Sequence, residues 1–373
     1  MKKILTLFGT RPEAIKLAPV ILEIARYPND FLSIVGVSGQ HTSLLDSVLE
    51  TFSIKPDFNL KVMKPGRDLT GLTADILLRT GAALDELKPD LLIVQGDTTT
   101  VFASALAAFY RRIPIAHVEA GLRTADKYQP FPEEINRRLT DEMADYFFAP
   151  THQNRERLLA MSVPEEKIFV TGNTVVDALK FMGQTKRGDI SCLPAFSPNL
   201  ILVTAHRREN FGHPMIEIFQ TLQKLAGQHP DYDFACPVHP NPNVKKCATD
   251  ILADVPNVHL LPPLSYDTFL LLMQRARFIL SDSGGIQEEA SSFNKPLLIL
   301  RNKTERPEIV DAGGALLTGT DGQRIQDEVN RLIIDREHYN RMASVENPFG
   351  DGRAAERIIS ILRRLLLGTA STC

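Results

Sequence analysis

Four side chains stand at positions where they could transfer protons: Asp97, Glu119, Glu133 and His206. Asp97 and Glu119 each end a predicted strand, and because the two strands are neighbours their carboxylates are expected to lie close together. Adjacent carboxylates raise the pKa of one of them, which brings a proton-transfer group towards neutral pH. Two structural alternatives stay open: Asp97 as the N-cap of a helix from Thr98 to Tyr110, and Glu133 as an acid serving the dipole at a helix start.

A second set of residues is typical of a nucleotide-binding site. Ser283, Gly284 and Gly285 follow a predicted strand and open a helix. Small residues there let backbone N–H groups approach a phosphate, and the helix dipole favours its negative charge. Glu289 lies one turn further on, where a carboxylate accepts from both hydroxyls of a ribose. A plain strand-to-helix turn and a solvated helix face are the alternatives.

Three cations are candidates for contact with a diphosphate: Arg11 and Lys16 at the start of the first helix, and Arg306 in the segment Thr304–Pro307. A surface position is the alternative for Lys16. No cofactor is expected, because neither GxGxxG after the first strand nor GxxxxGK[ST] is present. No metal is expected either, because the four cysteines have no metal-ligand spacing and His206 and His239 stand apart.

The elements that must position these residues alternate between short apolar runs and amphipathic stretches, which is typical of βαβ units and a parallel sheet. The predicted strands are Ile4–Phe8, Leu32–Val37, Leu91–Val94, Ile113–Val118, Tyr146–Ala149 and Ile168–Val170, then Leu200–Thr204, Phe234–Val238, Val258–Leu261, Phe278–Leu280 and Leu297–Leu300. Nearly every one ends in small residues followed by a charged or imidazole group. The pattern predicts an α/β protein of two doubly wound domains with a polar ligand in a cleft between them.

The predicted domains are 1–185 and 186–352, because Lys186–Asn199 contains Gly188, Pro194 and Pro198 and has no clear period. A final helix is predicted from Arg353 to Leu367. It is expected to pack Ile358, Ile361, Leu362 and Leu365 on the body of the protein.

Composition and charge exclude several classes of protein. The chain has 373 residues, 43% hydrophobic and 23% charged, and its formal net charge is −3. This length suggests about two domains, and the near balance of charges argues against nucleic acid and acidic membrane surfaces as partners. No apolar run reaches the roughly 20 residues of a membrane helix. The first eight residues are interpreted as a buried strand rather than a signal peptide, and the protein is expected in the cytoplasm with reduced thiols.

Eight segments taken together resemble the non-hydrolysing UDP-N-acetylglucosamine 2-epimerases, in order, from about Ile4 to Leu362. The segments are Phe8–Ala14, Gly96–Thr100, His117–Arg123, Pro130–Glu134, Val170–Thr174, His206–Asn210, Asp282–Glu289 and Thr304–Glu308. The resemblance implies a GT-B fold of two Rossmann-like domains, the second binding UDP, with the helix in 353–373 crossing back to the first. It also implies a homodimeric cytoplasmic enzyme that interconverts UDP-N-acetylglucosamine and UDP-N-acetylmannosamine without metal or nicotinamide, for polysaccharide synthesis.

Site residues carry over from the resemblance by position. The catalytic set would be Asp97, Glu119, Glu133 and His206, and the substrate would also contact Arg11, Lys16, Phe269, Ser283, Gly284, Gly285, Glu289 and Arg306. A second, activating substrate site would comprise Gln40, His41, Arg67, Glu133, Arg207 and His239. Arg67 stands where many members have Gln, so activation by substrate stays open, and Gln95 replaces a His before Gly96.

The chemistry implied by the resemblance is elimination of UDP from C1 and C2 to give a 2-acetamidoglucal, followed by re-addition with the proton on the opposite face. The alternatives are a GT-B glycosyltransferase, a hydrolysing epimerase, a silent sugar-nucleotide sensor and an epimerase of a related UDP-sugar. Which carboxylate serves which face of C2 is also open at this point.

Overall fold

The structure is a computed structural model that describes residues 1–39, 43–63, 66–124, 126–185 and 193–368. The strands are β1 (Lys2–Phe8), β2 (Phe31–Val37), β3 (Phe58–Asn59), β4 (Leu91–Gln95), β5 (Ile115–Val118), β6 (Tyr146–Ala149), β7 (Ile168–Val170), β8 (Leu200–Thr204), β9 (Asp233–Pro237), β10 (Val258–Leu261), β11 (Phe278–Ser281), β12 (Leu297–Ile299) and β13 (Ala315–Leu317).

Helices connect these strands. They are α1 (Arg11–Ala25), α2 (Ser43–Thr51), α3 (Leu69–Leu87), α4 (Thr99–Phe109), α5 (Glu133–Met143), α6 (His152–Ala160), α7 (Thr174–Thr185), α8 (His213–Gln228), α9 (Pro242–Leu252), α10 (Tyr266–Arg275), α11 (Gly284–Ser292), α12 (Pro307–Asp311), α13 (Gly322–Ile334), α14 (Arg336–Ala343) and α15 (Ala354–Leu367).

Two wholly parallel sheets organise the described residues. The first has the order β3-β2-β1-β4-β5-β6-β7 and the second β10-β9-β8-β11-β12-β13. In each sheet the chain starts in the middle, winds to one edge and then returns to build the other. The switch points lie between β1 and β4 and between β8 and β11, which is where doubly wound sheets bind ligands.

The sequence predicted eleven of these strands, most with ends within one or two residues of the observed ones. It missed β3, which has two residues, and β13, which has three. Both are short strands at the edge of a sheet. The other strands have continuous apolar runs because helices cover both faces of a parallel sheet.

The chain divides into two compact units, each with its own core. The first comprises described residues of 1–185 together with 349–368, and the second comprises those of 193–348. Of the segment interpreted as a linker, 186–192 lie outside the described residues, and 193–199 form no regular element.

Helix α15 belongs to the first unit, where it packs against α1 and α7. The Asp177 carboxylate of α7 accepts the backbone N–H groups of Ala354 and Ala355 and so caps its first turn. Its buried face agrees with the prediction in part: Ile358 and Leu362 are fully buried and Ile361 is half-buried, whereas Leu365 is 37% exposed. Ile359, which was not predicted, is also fully buried.

Candidate active site

The polar residues at the strand ends of the first unit form connected networks. Glu119 follows β5 directly, and its carboxylate is buried. Lys16 Nζ forms an ion pair with Glu119 Oε1. Gln95 Nε2 donates to Oε2, and Asn173 Nδ2 donates to Oε1 at 3.2 Å. Donors from α1, from β4 and from the loop before α7 therefore fix this carboxylate.

The backbone at Glu119 is also unusual. Its φ of 68° lies in the left-handed region, which a residue with a long side chain rarely adopts. Such strain costs on the order of 1–3 kcal/mol and is found mainly at functional sites. The buried ion pair and the hydrogen bonds hold Glu119 in this conformation.

Asp97 lies two residues beyond the end of β4 and has a cation of its own. Arg137 donates to Asp97 Oδ2 through both Nε, at 3.1 Å, and Nη2. Asn136 Nδ2 donates to the Asp97 backbone carbonyl at 3.0 Å. The alternative role of Asp97 as an N-cap is wrong, because Thr98 caps α4 by accepting the N–H of Val101. The side chain of Asp97 is therefore not used to begin the helix.

The two carboxylates expected to perturb each other are thus each matched with a cation. Glu119 pairs with Lys16 and Asp97 pairs with Arg137. Glu133 is the first residue of α5, one turn before Arg137 on the same helix. Helix α5 therefore carries both a predicted catalytic acid and the cation that holds another.

A buried histidine supports the backbone beneath Asp97. His117 Nε2 lies 2.8 Å from the carbonyl oxygen of Gly96, and its Nδ1 lies 2.6 Å from Asp141 Oδ1. Arg123 donates to the other oxygen of Asp141. Burial acts to raise the pKa of Asp141, but His117 and Arg123 outweigh it and hold that pKa below its usual value. His117 thereby links the turn before Asp97 to α5.

Glu13 links the first helix to the Asp97 loop. Its carboxylate accepts the backbone N–H groups of Gly9 and Thr10 at 3.2 and 2.8 Å, and the Thr98 hydroxyl at 3.0 Å. Burial raises the pKa of Glu13 to about 7, although these hydrogen bonds act to lower it. The sequence signal for part of this role is the spacing of Thr10 and Glu13, which is that of a helix capping box, whereas the contact with Thr98 has none.

We expect Glu13→Gln to flatten the pH dependence of stability. With a folded-state pKa of about 7 against 4.5 for the free side chain, the folded protein binds more protons between these values. The contribution of Glu13 to stability is therefore greatest below pH 4.5 and is lost as pH rises through 7, by about 3 kcal/mol for a shift of this size. Urea unfolding at pH 5 and pH 8 measures this loss. An equal loss in Glu13→Gln and the unmodified protein would contradict the assignment.

In the second unit, the predicted phosphate-binding turn has the expected form. Ser283 is the N-cap of α11, and Gly284 and Gly285 are its first two residues. A Cβ on Gly284 would lie 2.7 Å from Arg306 Nη1, so a larger residue there would displace the Arg306 guanidinium. A Cβ on Gly285 would meet no atom within 4 Å. Packing therefore does not explain Gly285, which stays a predicted ligand contact.

Two other predicted contacts flank this turn. Glu289 lies one turn along α11, and the buried Tyr266 hydroxyl donates to its Oε1 at 2.8 Å. Phe269 lies one turn after Tyr266 on α10 and is half-buried. Tyr266 was not predicted as a site residue, because only its hydrogen bond in the folded protein links it to Glu289.

Arg306 is buried among carboxylates. It forms ion pairs with Glu288 and Glu305, and Arg301 forms ion pairs with Glu305 and Glu209. The guanidinium of Arg306 is thus fixed next to the first turn of α11, where it stays a predicted anion ligand. In the first unit, Arg11 begins α1 and is half-buried, whereas Lys16 is buried against Glu119.

His206 follows β8 in the loop that also holds Arg207. The His206 ring stacks on the His239 ring, with centroids 5.3 Å apart and planes 19° apart. Of the predicted activating set, Arg207 and His239 therefore lie beside His206. Arg67 forms an ion pair with Asp75 of α3 in the first unit, and Gln40 and His41 lie outside the described residues.

The described residues contain no cluster of three or more His, Cys, Asp and Glu side chains suited to a metal ion. None of the helices in the described part of the chain has both the length and the apolar character that a membrane span needs.

Comparison with known proteins gives matches over nearly the whole chain. The family model described as UDP-N-acetylglucosamine 2-epimerase matches residues 23–363. The UDP-N-acetylglucosamine 2-epimerase of Escherichia coli strain K12 is 50% identical over 370 residues, which are 97% of this chain and 98% of that protein.

Solved structures agree with this result. The UDP-GlcNAc 2-epimerase of Neisseria meningitidis bound to UDP-GlcNAc has a TM-score of 0.94 and 46% identity, over 97% of this chain and 100% of that one. The Methanocaldococcus jannaschii UDP-GlcNAc 2-epimerase in complex with UDP-GlcNAc and UDP has a TM-score of 0.86 and 34% identity, over 96% and 99%. The fold is α/β of the GT-B type, with two Rossmann-like units, and the chain belongs to the UDP-N-acetylglucosamine 2-epimerase family.

Proposed function

We propose that this protein reversibly converts UDP-N-acetylglucosamine to UDP-N-acetylmannosamine. Two groups of residues support the proposal. The second unit has a turn of the type that binds phosphate, with Glu289 one helical turn away. The first unit has carboxylates at its strand ends that form ion pairs with Lys16 and Arg137. The family to which the chain belongs supports the same substrate.

Elimination and re-addition of UDP fit these residues better than direct proton abstraction. The C2–H bond has no adjacent carbonyl to accept the electron pair. In the proposed route the C2 proton passes to a base, its electron pair forms the C1–C2 double bond, and the C1–O bond breaks to release UDP. UDP oxygen then re-adds to C1 of the 2-acetamidoglucal while C2 receives a proton on the opposite face.

In this proposal the second unit is the UDP-binding domain. Ser283, Gly284 and Gly285 hold the diphosphate at the positive end of α11, where the backbone N–H groups of Gly284 and Gly285 are the donors, because the Ser283 N–H already donates to Ser281 Oγ at 3.0 Å. Glu289 holds the ribose, positioned by Tyr266. Phe269, Arg306 and His206 complete the contacts, and positive charge there stabilises the departing UDP.

The first unit supplies the proton-transfer chemistry. Asp97, Glu119 and Glu133 are the carboxylates proposed to act at C1 and C2, and Arg11 and Lys16 are proposed as further contacts of the substrate. Glu119, held by Lys16, Gln95 and Asn173, is the best suited to a fixed negative charge near C1, where positive charge develops. Asp97 and Glu133 then remain for the two faces of C2.

The test of the proposed function is proton NMR of the purified protein with UDP-N-acetylglucosamine alone in deuterated buffer. We expect UDP-N-acetylmannosamine with deuterium at C2. Free N-acetylmannosamine appearing together with UDP would indicate a hydrolysing epimerase instead. An unchanged spectrum with tight binding would favour a glycosyltransferase that lacks its acceptor, a related UDP-sugar or a sensor.

We expect Gly285→Ala to raise KM for the UDP-sugar at least tenfold, because the added methyl group occupies space that the diphosphate needs. Alanine stabilises a helix interior by about 0.5–1 kcal/mol relative to glycine, so folding should not suffer. Gly227→Ala in α8 is the matched control, since its Cβ also meets no atom within 4 Å. Equal KM values for both variants would remove Gly285 from the site.

We also propose that the protein is a homodimer that acts in the cytoplasm. Cys236 and Cys247 are free thiols, as is usual in a reducing compartment. The first unit exposes large apolar side chains on adjacent helices: Leu69 and Leu78 on α3, Phe109 and Tyr110 at the end of α4, and Ile135 and Leu139 on α5. An apolar surface of this kind is typical of an interface.

Leu78→Glu is expected to convert a dimer to a monomer, because a carboxylate at this 72% exposed position would be desolvated in the interface. Size-exclusion chromatography with light scattering measures the mass. Ile334→Glu on α13, at a position that is 78% exposed, is the control and should leave the mass unchanged. A dimer in both variants would exclude this face.

A further inference from the structure

We propose that Asp282 is a positioning residue for His206, holding the imidazole with its proton on Nδ1 so that Nε2 is the nitrogen that meets the substrate. The inference rests on the role of His206 in the proposed function. It concerns a residue outside the predicted site, because the sequence showed Asp282 only as one of many polar residues at strand ends.

One oxygen of Asp282 organises the loop that carries His206. Asp282 directly follows β11 and is fully buried. Its Oδ2 accepts the backbone N–H groups of His206 and Arg207, both at 2.8 Å, and Nδ2 of Asn210 at 3.0 Å. The loop after β8 is therefore folded around this single carboxylate oxygen.

The other oxygen faces the imidazole. Asp282 Oδ1 is buried and has no hydrogen-bond partner among the described residues, and it lies 3.6 Å from His206 Nδ1. A buried carboxylate oxygen without a donor is costly. The separation is longer than a hydrogen bond, so the proposal requires the imidazole to move towards Oδ1 when it functions. Catalytic hydrogen bonds often tighten in this way when substrate binds.

The identity of the partner determines the tautomer. A carboxylate oxygen accepts and cannot donate when it is ionised, so Nδ1 of His206 must carry the proton in this contact. Nε2 is then the nitrogen left to exchange a proton with the substrate or to donate to a phosphate oxygen. The negative charge of Asp282 also stabilises the imidazolium that forms when Nε2 is protonated.

The other side of the ring restricts its motion without adding charge. His239, from the loop after β9, stacks on His206. Desolvation lowers the pKa of His239, although Asp282 acts to raise it. The groups placed against the ring thus include the Asp282 carboxylate and the His239 imidazole, with Arg207 adjacent in the chain.

Asp282→Asn tests the proposal because it is isosteric. The amide oxygen can still accept the N–H groups of His206 and Arg207, whereas its NH2 group faces Nδ1 and favours the tautomer with the proton on Nε2. We expect kcat to fall about 100-fold or more, with KM changed less than threefold; the analogous substitution in a Ser-His-Asp triad costs about 10⁴.

Asn210→Ala is the control for a structural effect. It removes one donor to the same carboxylate but leaves Oδ1 opposite His206. We expect a fall in kcat of less than fivefold and no change of tautomer. Equal losses of kcat in Asn210→Ala and Asp282→Asn would overturn the proposal, because the carboxylate would then serve only to fold the loop.

NMR of protein labelled with ¹⁵N-histidine reads the tautomer directly, with the His206 signals assigned from their absence in His206→Gln. We expect Nδ1–H in the neutral imidazole of the unmodified protein and Nε2–H in Asp282→Asn, over pH 6 to 9. Nε2–H in the unmodified protein would overturn the proposal even if the variant did not fold. Absence of epimerisation by the unmodified protein would instead contradict the proposed function, and the tautomer would still be measured.

Discussion

Glu119→Gln is expected to lower turnover about 10³-fold, within the range of about 10²–10⁴ for loss of a positioned catalytic carboxylate. The substitution removes the negative charge from the end of β5. It also places an NH2 group against Lys16 Nζ or Gln95 Nε2, both of which are donors to the carboxylate. The variant is therefore expected to lose stability as well as activity.

A double variant separates these two effects. Removing one partner of a buried ion pair costs about 3–5 kcal/mol, whereas replacing both by uncharged groups is often nearly neutral. Lys16→Met and Glu119→Gln should each lower the free energy of unfolding, and the double variant should recover most of that loss. Its turnover should remain as low as that of Glu119→Gln, because the charge that acts on the sugar is still absent.

Urea unfolding and initial rates of epimerisation at saturating substrate measure the two quantities. Recovery of turnover together with stability in the double variant would show that Glu119 has a structural role only. Loss of turnover in Glu119→Gln with full stability would show that the ion pair with Lys16 contributes little to folding.

Asp97→Asn is expected to lower turnover about 10²–10⁴-fold with little change in the binding of UDP. The amide oxygen can keep a hydrogen bond from Arg137, and the backbone contacts from Asn136 and His117 do not involve the side chain of residue 97. The loss should therefore be in proton transfer. Exchange of the C2 proton with deuterated buffer should fall by the same factor as turnover.

The control for Asp97→Asn is Asp85→Asn, which also removes a carboxylate from an arginine. Asp85 forms a hydrogen-bonded pair with Arg111 at the surface of the first unit, and such pairs contribute about 0–1 kcal/mol. The turnover of Asp85→Asn should stay within twofold of that of the unmodified protein. Turnover of Asp97→Asn close to that of the unmodified protein would remove Asp97 from the catalytic set.

Much of the fold is predictable because its determinants are local. The interior strands have continuous apolar runs, as parallel strands buried on both faces do, and their predicted ends are close to the observed ones. The strands that were missed, β3 and β13, are short strands at the edges of the two sheets. The face of α15 was predicted only in part because Ile359 and Leu365 are equally apolar, and only the positions of α1 and α7 decide which is buried.

The candidate site was predictable from the sequence only through one rule, which is that the ends of parallel strands meet at one edge of a sheet. That rule led to Asp97, Glu119, His206 and the Ser283 turn. It does not say which cation each carboxylate takes, because Arg137 and Lys16 come from helices whose rotation is set by packing. The role of Asp282 was likewise invisible, since its contacts join residues separated by more than 70 positions.

The packing of α15 against α1 and α7 has a consequence for synthesis of the protein on the ribosome. Residues 349–368 complete the first unit but are translated only after the whole of the second. Until α15 has been synthesised, the surfaces of α1 and α7 against which it packs stay exposed. The second unit, whose residues are contiguous, is free to complete its fold first, so the order of folding need not follow the order of translation.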